Sequence, residues 1–212
     1  MRIFSLTVAF LVGLIFNAGA AQAGPGHVYL LKGLANVFSA GLDNYAAVLS
    51  ARGIPVTVAN HADYPGLAVE AAQLYRAGRG PIIIVGHSLG GGAATEMANM
   101  MAQRGARVAL IVSYGAPNTQ VIPANVDRVV NYYGGVGGLA VRGPGSRASI
   151  VNIDTSGNPE INHFNMDKLP SIERRTIGQI LAIVGGGGRH RPRAAAKTAA
   201  VAPSAAQASA VH

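Results

Sequence analysis

Residues 81–103 read Pro-Ile-Ile-Ile-Val-Gly-His-Ser-Leu-Gly-Gly-Gly-Ala-Ala-Thr-Glu-Met-Ala-Asn-Met-Met-Ala-Gln, and their reading decides the fold. The first five form a β-branched apolar run, the composition of a strand covered on both faces. From Gly91 to Gln103 the pattern is that of a helix. Between the two lies Gly86-His87-Ser88-Leu89-Gly90. Strand, Gly-x-Ser-x-Gly and helix in that order predict a tight turn that lifts the serine hydroxyl to the carboxyl end of the strand. Side chains two residues either side of the serine would press on the adjoining strand or helix, a need that Gly86 and Gly90 meet. The hydroxyl then faces the positive end of the helix, and the Leu89 N–H can point at a developing oxyanion. The flanking strand and helix carry this reading, because the chain has 28 glycines and the pentapeptide alone is a weak signal.

The rest of the body alternates strand and helix in the same way. Strands are expected at His27–Leu31, Val56–Ala59, Val108–Ser113, Asp127–Tyr132 and Ser149–Ile153, besides the run at 81–85. Helices are expected at Ser39–Arg52, Leu67–Ala77 and Ser171–Val184, besides the one after the serine. Gly53, Gly78 and Gly105 stand where helices should stop. Such alternation predicts an α/β domain with a mostly parallel sheet of about six strands.

With the turn at 86–90, this strand order and a late histidine on the page, the chain resembles the α/β-hydrolase superfamily over residues 27–184. It is most similar to the small lipase- and thioesterase-like members. The stretches Gly-Leu-Asp-Asn-Tyr (41–45), Val-Ile-Pro-Ala-Asn-Val (121–126) and His-Phe-Asn-Met-Asp-Lys (163–168) fit that likeness. The resemblance implies a three-layer α/β-hydrolase fold in which these six strands are the central ones. Lids commonly sit between the fourth and fifth of them. The connection Tyr114–Val126 is too short for a substantial cap, so an open site is expected.

A serine hydroxyl is a poor nucleophile at neutral pH and needs a base within hydrogen-bond reach. The superfamily order is serine, acid, histidine. After Ser88 the body holds a single histidine, His163, in the loop before the last helix, where the resemblance places the base; His190 lies in the tail. His87 reads as a packing residue whose ring points away from the hydroxyl. The second oxyanion donor is expected from the loop after the first strand, at the backbone N–H of Leu34 or Ala35. The acid breaks the family pattern: neither Ser113–Asn118 nor Asn131–Gly135 holds a carboxylate. Asp154, at the end of the sixth strand, is the first choice. Asn118 as a neutral orienter, or a Ser-His pair with no acid, stand beside it. Asp127 should lie at the wrong end of the sheet, and Asp167 reads as a cap of the last helix or a lysine's partner.

These residues predict a serine ester or thioester hydrolase working through an acyl-enzyme on a small-molecule or lipid-like acyl substrate, with no cofactor and no metal. The same residues would serve an acyltransferase, and the missing acid leaves room for a non-catalytic envelope binding protein.

Composition bounds the rest. The 212 residues suffice for one domain, half of them are apolar, and cysteine is absent, which excludes disulfides and thiolate metal sites. Arg2, the apolar run Ile3–Phe16 and Ala21-Gln22-Ala23 form a signal peptide pattern, predicting export to a periplasm or the medium. The run is about 14 residues, short of the roughly 20 that span a bilayer. Residues 24–184 form the folded domain, and 185–212 a Gly/Ala-rich tail. That tail carries Arg189, Arg191, Arg193 and Lys197 without an acid, so much of the net charge of +8 is local to it. Basic residues without a folded patch of stacking aromatics argue against nucleic acid. Weak attraction to an anionic envelope surface fits better. Intact-mass measurement of the exported protein should give a chain beginning at Gly24; a chain retaining residues 1–23 would refute the leader reading.

Overall fold

The computed structural model describes residues 26–36, 39–135 and 137–185. The expected leader, and the tail beyond Gly185, lie outside them. Among the described residues eight strands and four α-helices follow one another: β1 (His27–Lys32), α1 (Gly41–Ser50), β2 (Val56–Asn60), α2 (Tyr64–Arg76), β3 (Ile82–His87), α3 (Leu89–Ala102), β4 (Leu110–Tyr114), β5 (Gln120–Ile122), β6 (Arg128–Tyr133), β7 (Ala140–Arg142), β8 (Ser149–Asp154) and α4 (Pro170–Gly185).

Six strands form one sheet in the order β2-β1-β3-β4-β6-β8, every pair parallel. Successive side chains of a strand point to opposite faces, so β3 feeds two cores. Ile82 and Ile84 pack with Met97 and Met101 of α3 and the alanines of α2. Ile83 and Val85 pack with Leu42, Tyr45 and Leu49 of α1 and Ile177 and Ile180 of α4. The result is three layers, with α2 and α3 on one face and α1 and α4 on the other. On the second face a buried hydroxyl chain, Tyr45 to Tyr114 (3.0 Å) to Thr176 (2.7 Å), ties both helices to β4. This is the α/β-hydrolase architecture with no large cap.

Two features depart from the sequence expectations. The helix expected from Leu67 begins at Tyr64. Asn60 and Asp63 form a reciprocal capping box ahead of it, and Pro65 sits in its first turn, where its fixed φ suits a helix. The connection between the fourth and fifth central strands holds β5, which pairs in parallel with β7 as a separate two-stranded sheet. It adds no cap.

The strand order reverses between β1 and β3: from β1 the chain moves outward to β2, then returns to β3 on the other side. In parallel sheets the crevice at the carboxyl ends of the strands flanking such a point is where ligands sit. Ser88 ends β3 and the 3-10 turn Leu34–Asn36 follows β1, so both belong to that crevice.

Close packing at this point demands glycine. A Cβ on Gly86 would lie 2.6 Å from Gly91 N and would collide with the Gly90 carbonyl. One on Gly90 would collide with the Leu31 carbonyl at the end of β1 and lie 3.2 Å from Lys32 C. Backbone cannot yield as a flexible side chain can. Gly90→Ala should therefore cost about 3 kcal/mol, lowering the thermal midpoint by roughly 10 °C in a calorimetric comparison with the parent.

Candidate active site

Ser88 adopts φ 58° and ψ −123°, a conformation costly for a residue with a side chain. Its N–H donates to the Tyr114 carbonyl of neighbouring β4 (2.8 Å), and its own carbonyl accepts from Gly91 N (2.9 Å). The turn is thus clamped on both sides, and the hydroxyl projects into partly open space. The helix begins immediately, at Leu89, the first helical residue, whose N–H has no intrahelical acceptor.

His163 reaches this hydroxyl from the loop between β8 and α4. Its Nε2 lies 3.1 Å from Ser88 Oγ, across 75 residues of sequence. Burial holds the imidazole below its ordinary value of 6.5, the nearby His87 ring pushes the same way, and Asp167 opposes them. A neutral imidazole with its lone pair toward a serine hydroxyl is the arrangement that proton abstraction requires. The Phe164 ring packs edge-on against the His163 imidazole at 5.4 Å.

The other ring nitrogen has no such partner. His163 Nδ1 is buried and makes no hydrogen bond among the described residues. The structure does not bring Asp154 to it. That side chain is fully exposed and accepts from Ser156 N (2.8 Å), and bonding to Ser156 holds its carboxyl below the usual range. The carboxylate is engaged in the turn that ends β8, as Asp residues commonly are. Asn118 is exposed, and its main-chain carbonyl accepts from Gln120 Nε2 (2.6 Å). Asp127 pairs with Arg107 at the opposite end of the sheet.

Asp167 is fully buried and accepts from Gly41 N (3.1 Å), so it caps α1 across 126 residues of sequence rather than the last helix or a lysine. Burial raises its carboxyl above the ordinary value, against the pull of His87, Lys168 and its backbone bonds. His87 is likewise fully buried. Its Nδ1 lies 2.9 Å from Ser39 Oγ and its Nε2 lies 2.7 Å from the His163 carbonyl. Sequence reading placed His87 away from the hydroxyl but gave no hint of Ser39 or of the carbonyl.

The loop after β1 covers the serine from the other side. A Cβ on Gly33 would lie 2.9 Å from Ser88 Cβ. The Gly33 N–H is taken by Ser39 Oγ (3.0 Å), so it is not available to a substrate. Leu34, which opens the 3-10 turn, has no acceptor within it, and the backbone of Ala35 follows in the same turn. Asn36, at φ 62°, is anchored by Asn60 Nδ2 (2.9 Å). Leu34 and Leu89 have exposed side chains on either side of Ser88. From Leu89 a groove of about 330 Å³ runs along α3 past Thr95 and Glu96 to Asn99, walled by Asn118 and Val121. Among the described residues no cluster of three or more His, Cys, Asp or Glu is arranged to hold a metal.

Residues 38–149 match the model of the PGAP1-like alpha/beta domain, more than half of the chain. The chain belongs to that family. The matched segment contains the turn at Ser88 and ends as β8 begins, before His163. Among solved structures, the chain is similar to the RedJ thioesterase of the prodiginine pathway in Streptomyces coelicolor: 14% identity and a TM-score of 0.46, covering 74% of this chain and 90% of that one. It is also similar to the NocB thioesterase domain of the nocardicin cluster: 15% identity and a TM-score of 0.44, covering 77% and 96%. No curated protein matches the chain significantly.

Gly115 gives a direct handle on the histidine. It has φ +59°, and a Cβ there would lie 2.7 Å from His163 Nδ1 and 3.2 Å from Cε1. Gly115→Ala should displace the ring from Ser88 and slow labelling by a fluorophosphonate probe by about tenfold or more, as misplacement by an ångström does. Circular dichroism should show the variant still folded.

Proposed function

We propose that the chain is a serine hydrolase cleaving carboxylic esters or thioesters. The observation that carries this reading is the 3.1 Å approach of His163 Nε2 to Ser88 Oγ at the crevice between β1 and β3. Ser88 Oγ attacks the acyl carbon while His163 takes its proton. The carbonyl oxygen, now an oxyanion, is held by the N–H of Leu89 and one from Leu34 or Ala35. The tetrahedral species collapses, the C–O or C–S bond to the leaving group breaks, and His163 returns the proton to that group. Water repeats the sequence on the acyl-enzyme and releases the acid. Among the described residues no carboxylate hydrogen-bonds to His163 Nδ1, so turnover should be modest; loss of the orienting acid costs about 10⁴ in one protease. We place the protein outside the cytoplasm on the strength of its first 23 residues.

Three proteins test the reading: parent, Ser88→Ala and His163→Ala, each exposed to a fluorophosphonate and then to esters and thioesters of graded chain length. The parent should label and turn over substrate. Ser88→Ala should do neither, and His163→Ala should lose about 10³ or more in rate. A folded parent that does not label sinks the proposal. The pH profile of kcat/KM adds an independent check. Only the neutral imidazole can accept the proton, and its pKa is lowered, so activity should persist below pH 6.5 and fall on further acidification. A fall centred above pH 6.5 would contradict the His163 assignment.

A further inference from the structure

One buried polar chain takes no direct part in the proposed reaction, yet it joins the loop after β1 to His163. Ser39 and His87 are shielded from solvent, and buried polar groups persist when their hydrogen bonds are complete. Theirs can be assigned atom by atom. The Gly33 N–H donates to Ser39 Oγ (3.0 Å), and the same oxygen lies 2.9 Å from His87 Nδ1. The His163 carbonyl can only accept, so His87 Nε2 carries the ring proton and donates it across 2.7 Å. In the neutral ring Nδ1 is then the acceptor of the Ser39 hydroxyl proton, a bond that favours the tautomer donating to His163. The chain runs from the loop over the serine, through the residue preceding it, to the base.

In a complete triad an acid holds the histidine ring by Nδ1. Here that nitrogen has no hydrogen-bond partner among the described residues, and the firm contact to His163 is made on its main chain. The loop is pinned a second time four residues on, where Asp167 accepts from Gly41 N, next but one to Ser39.

We propose that His87 is a positioning residue. By gripping the His163 carbonyl it holds the imidazole against Ser88, the task an orienting carboxylate performs in a complete triad, and Ser39 keeps it in the tautomer that can do so. The proposal rests on the serine hydrolase reading above.

The test is the second-order rate of fluorophosphonate labelling of the full chain, with thermal unfolding measured alongside. The set is the parent, His163→Ala, His87→Ala, His87→Gln, Ser39→Ala and the double variant His87→Ala/His163→Ala. His87→Ala should lower the rate about 30-fold and Ser39→Ala about fivefold, and His87→Gln should recover part of the loss because its amide can donate to the same carbonyl. On the His163→Ala background, His87→Ala should cost less than about twofold, since no ring remains to be positioned. A merely structural role predicts the opposite, an equal loss on both backgrounds, and that result would overturn the proposal. So would His87→Gln and Ser39→Ala both labelling at the parental rate, and these two decide the matter if His87→Ala does not fold. Loss of labelling in His163→Ala alone, with His87 and Ser39 variants unimpaired, removes this proposal and leaves the hydrolase reading intact. A folded parent that does not label removes both.

Discussion

The backbone of Ser88 sits in a conformation that a residue with a side chain avoids, and the molecule is built to keep it there. β4 holds it through the Tyr114 carbonyl and α3 through Gly91 N. Neighbouring backbone comes so close that Gly86 and Gly90 have no room for a methyl group. The helix can begin one residue after the serine only because β1 ends against Gly90. Strand order, helix start and hydroxyl position are thus one constraint seen from three sides.

Much of the fold was legible because its determinants are local. A β-branched run such as 82–85 has few alternatives to a buried strand, and the helices carry their apolar faces at helical spacing. What escaped was short or unusual in composition. β5 and β7 have three residues each, and β7 follows a run of glycines. They exist through pairing with each other across about 20 residues, which no local pattern announces. The start of α2 was hidden by Pro65 and Gly66, two residues poor in helix interiors, when proline in a first helical turn is equally at home.

The site divides the same way. Ser88 announces itself through its flanking glycines, and His163 through being the body's one histidine after it. The structure brings these two together and leaves Asp154 on the surface. Ser39, His87 and Asp167 form bonds that span 48, 76 and 126 residues, and nothing beside them in sequence marks their partners. An isolated Asp in a loop looks the same whether it ends as an exposed turn or a buried cap. One signal was available for Asp167: it stands four residues after His163, near enough in sequence to share its loop.

His163, the base of the proposed reaction, comes from beyond the last strand, and that has a temporal consequence. A parallel sheet wound outward from its centre completes the crevice floor early, with β1, β3 and β4 all in place by residue 114. The turn at Ser88 is therefore shaped by the first half of the domain and met by His163 from the second. Until the chain has closed β8 against β6 and laid the 163–167 loop across α1, the serine has no proton acceptor beside it. In the proposed reaction, then, the pairing that would make Ser88 reactive belongs to the finished molecule alone.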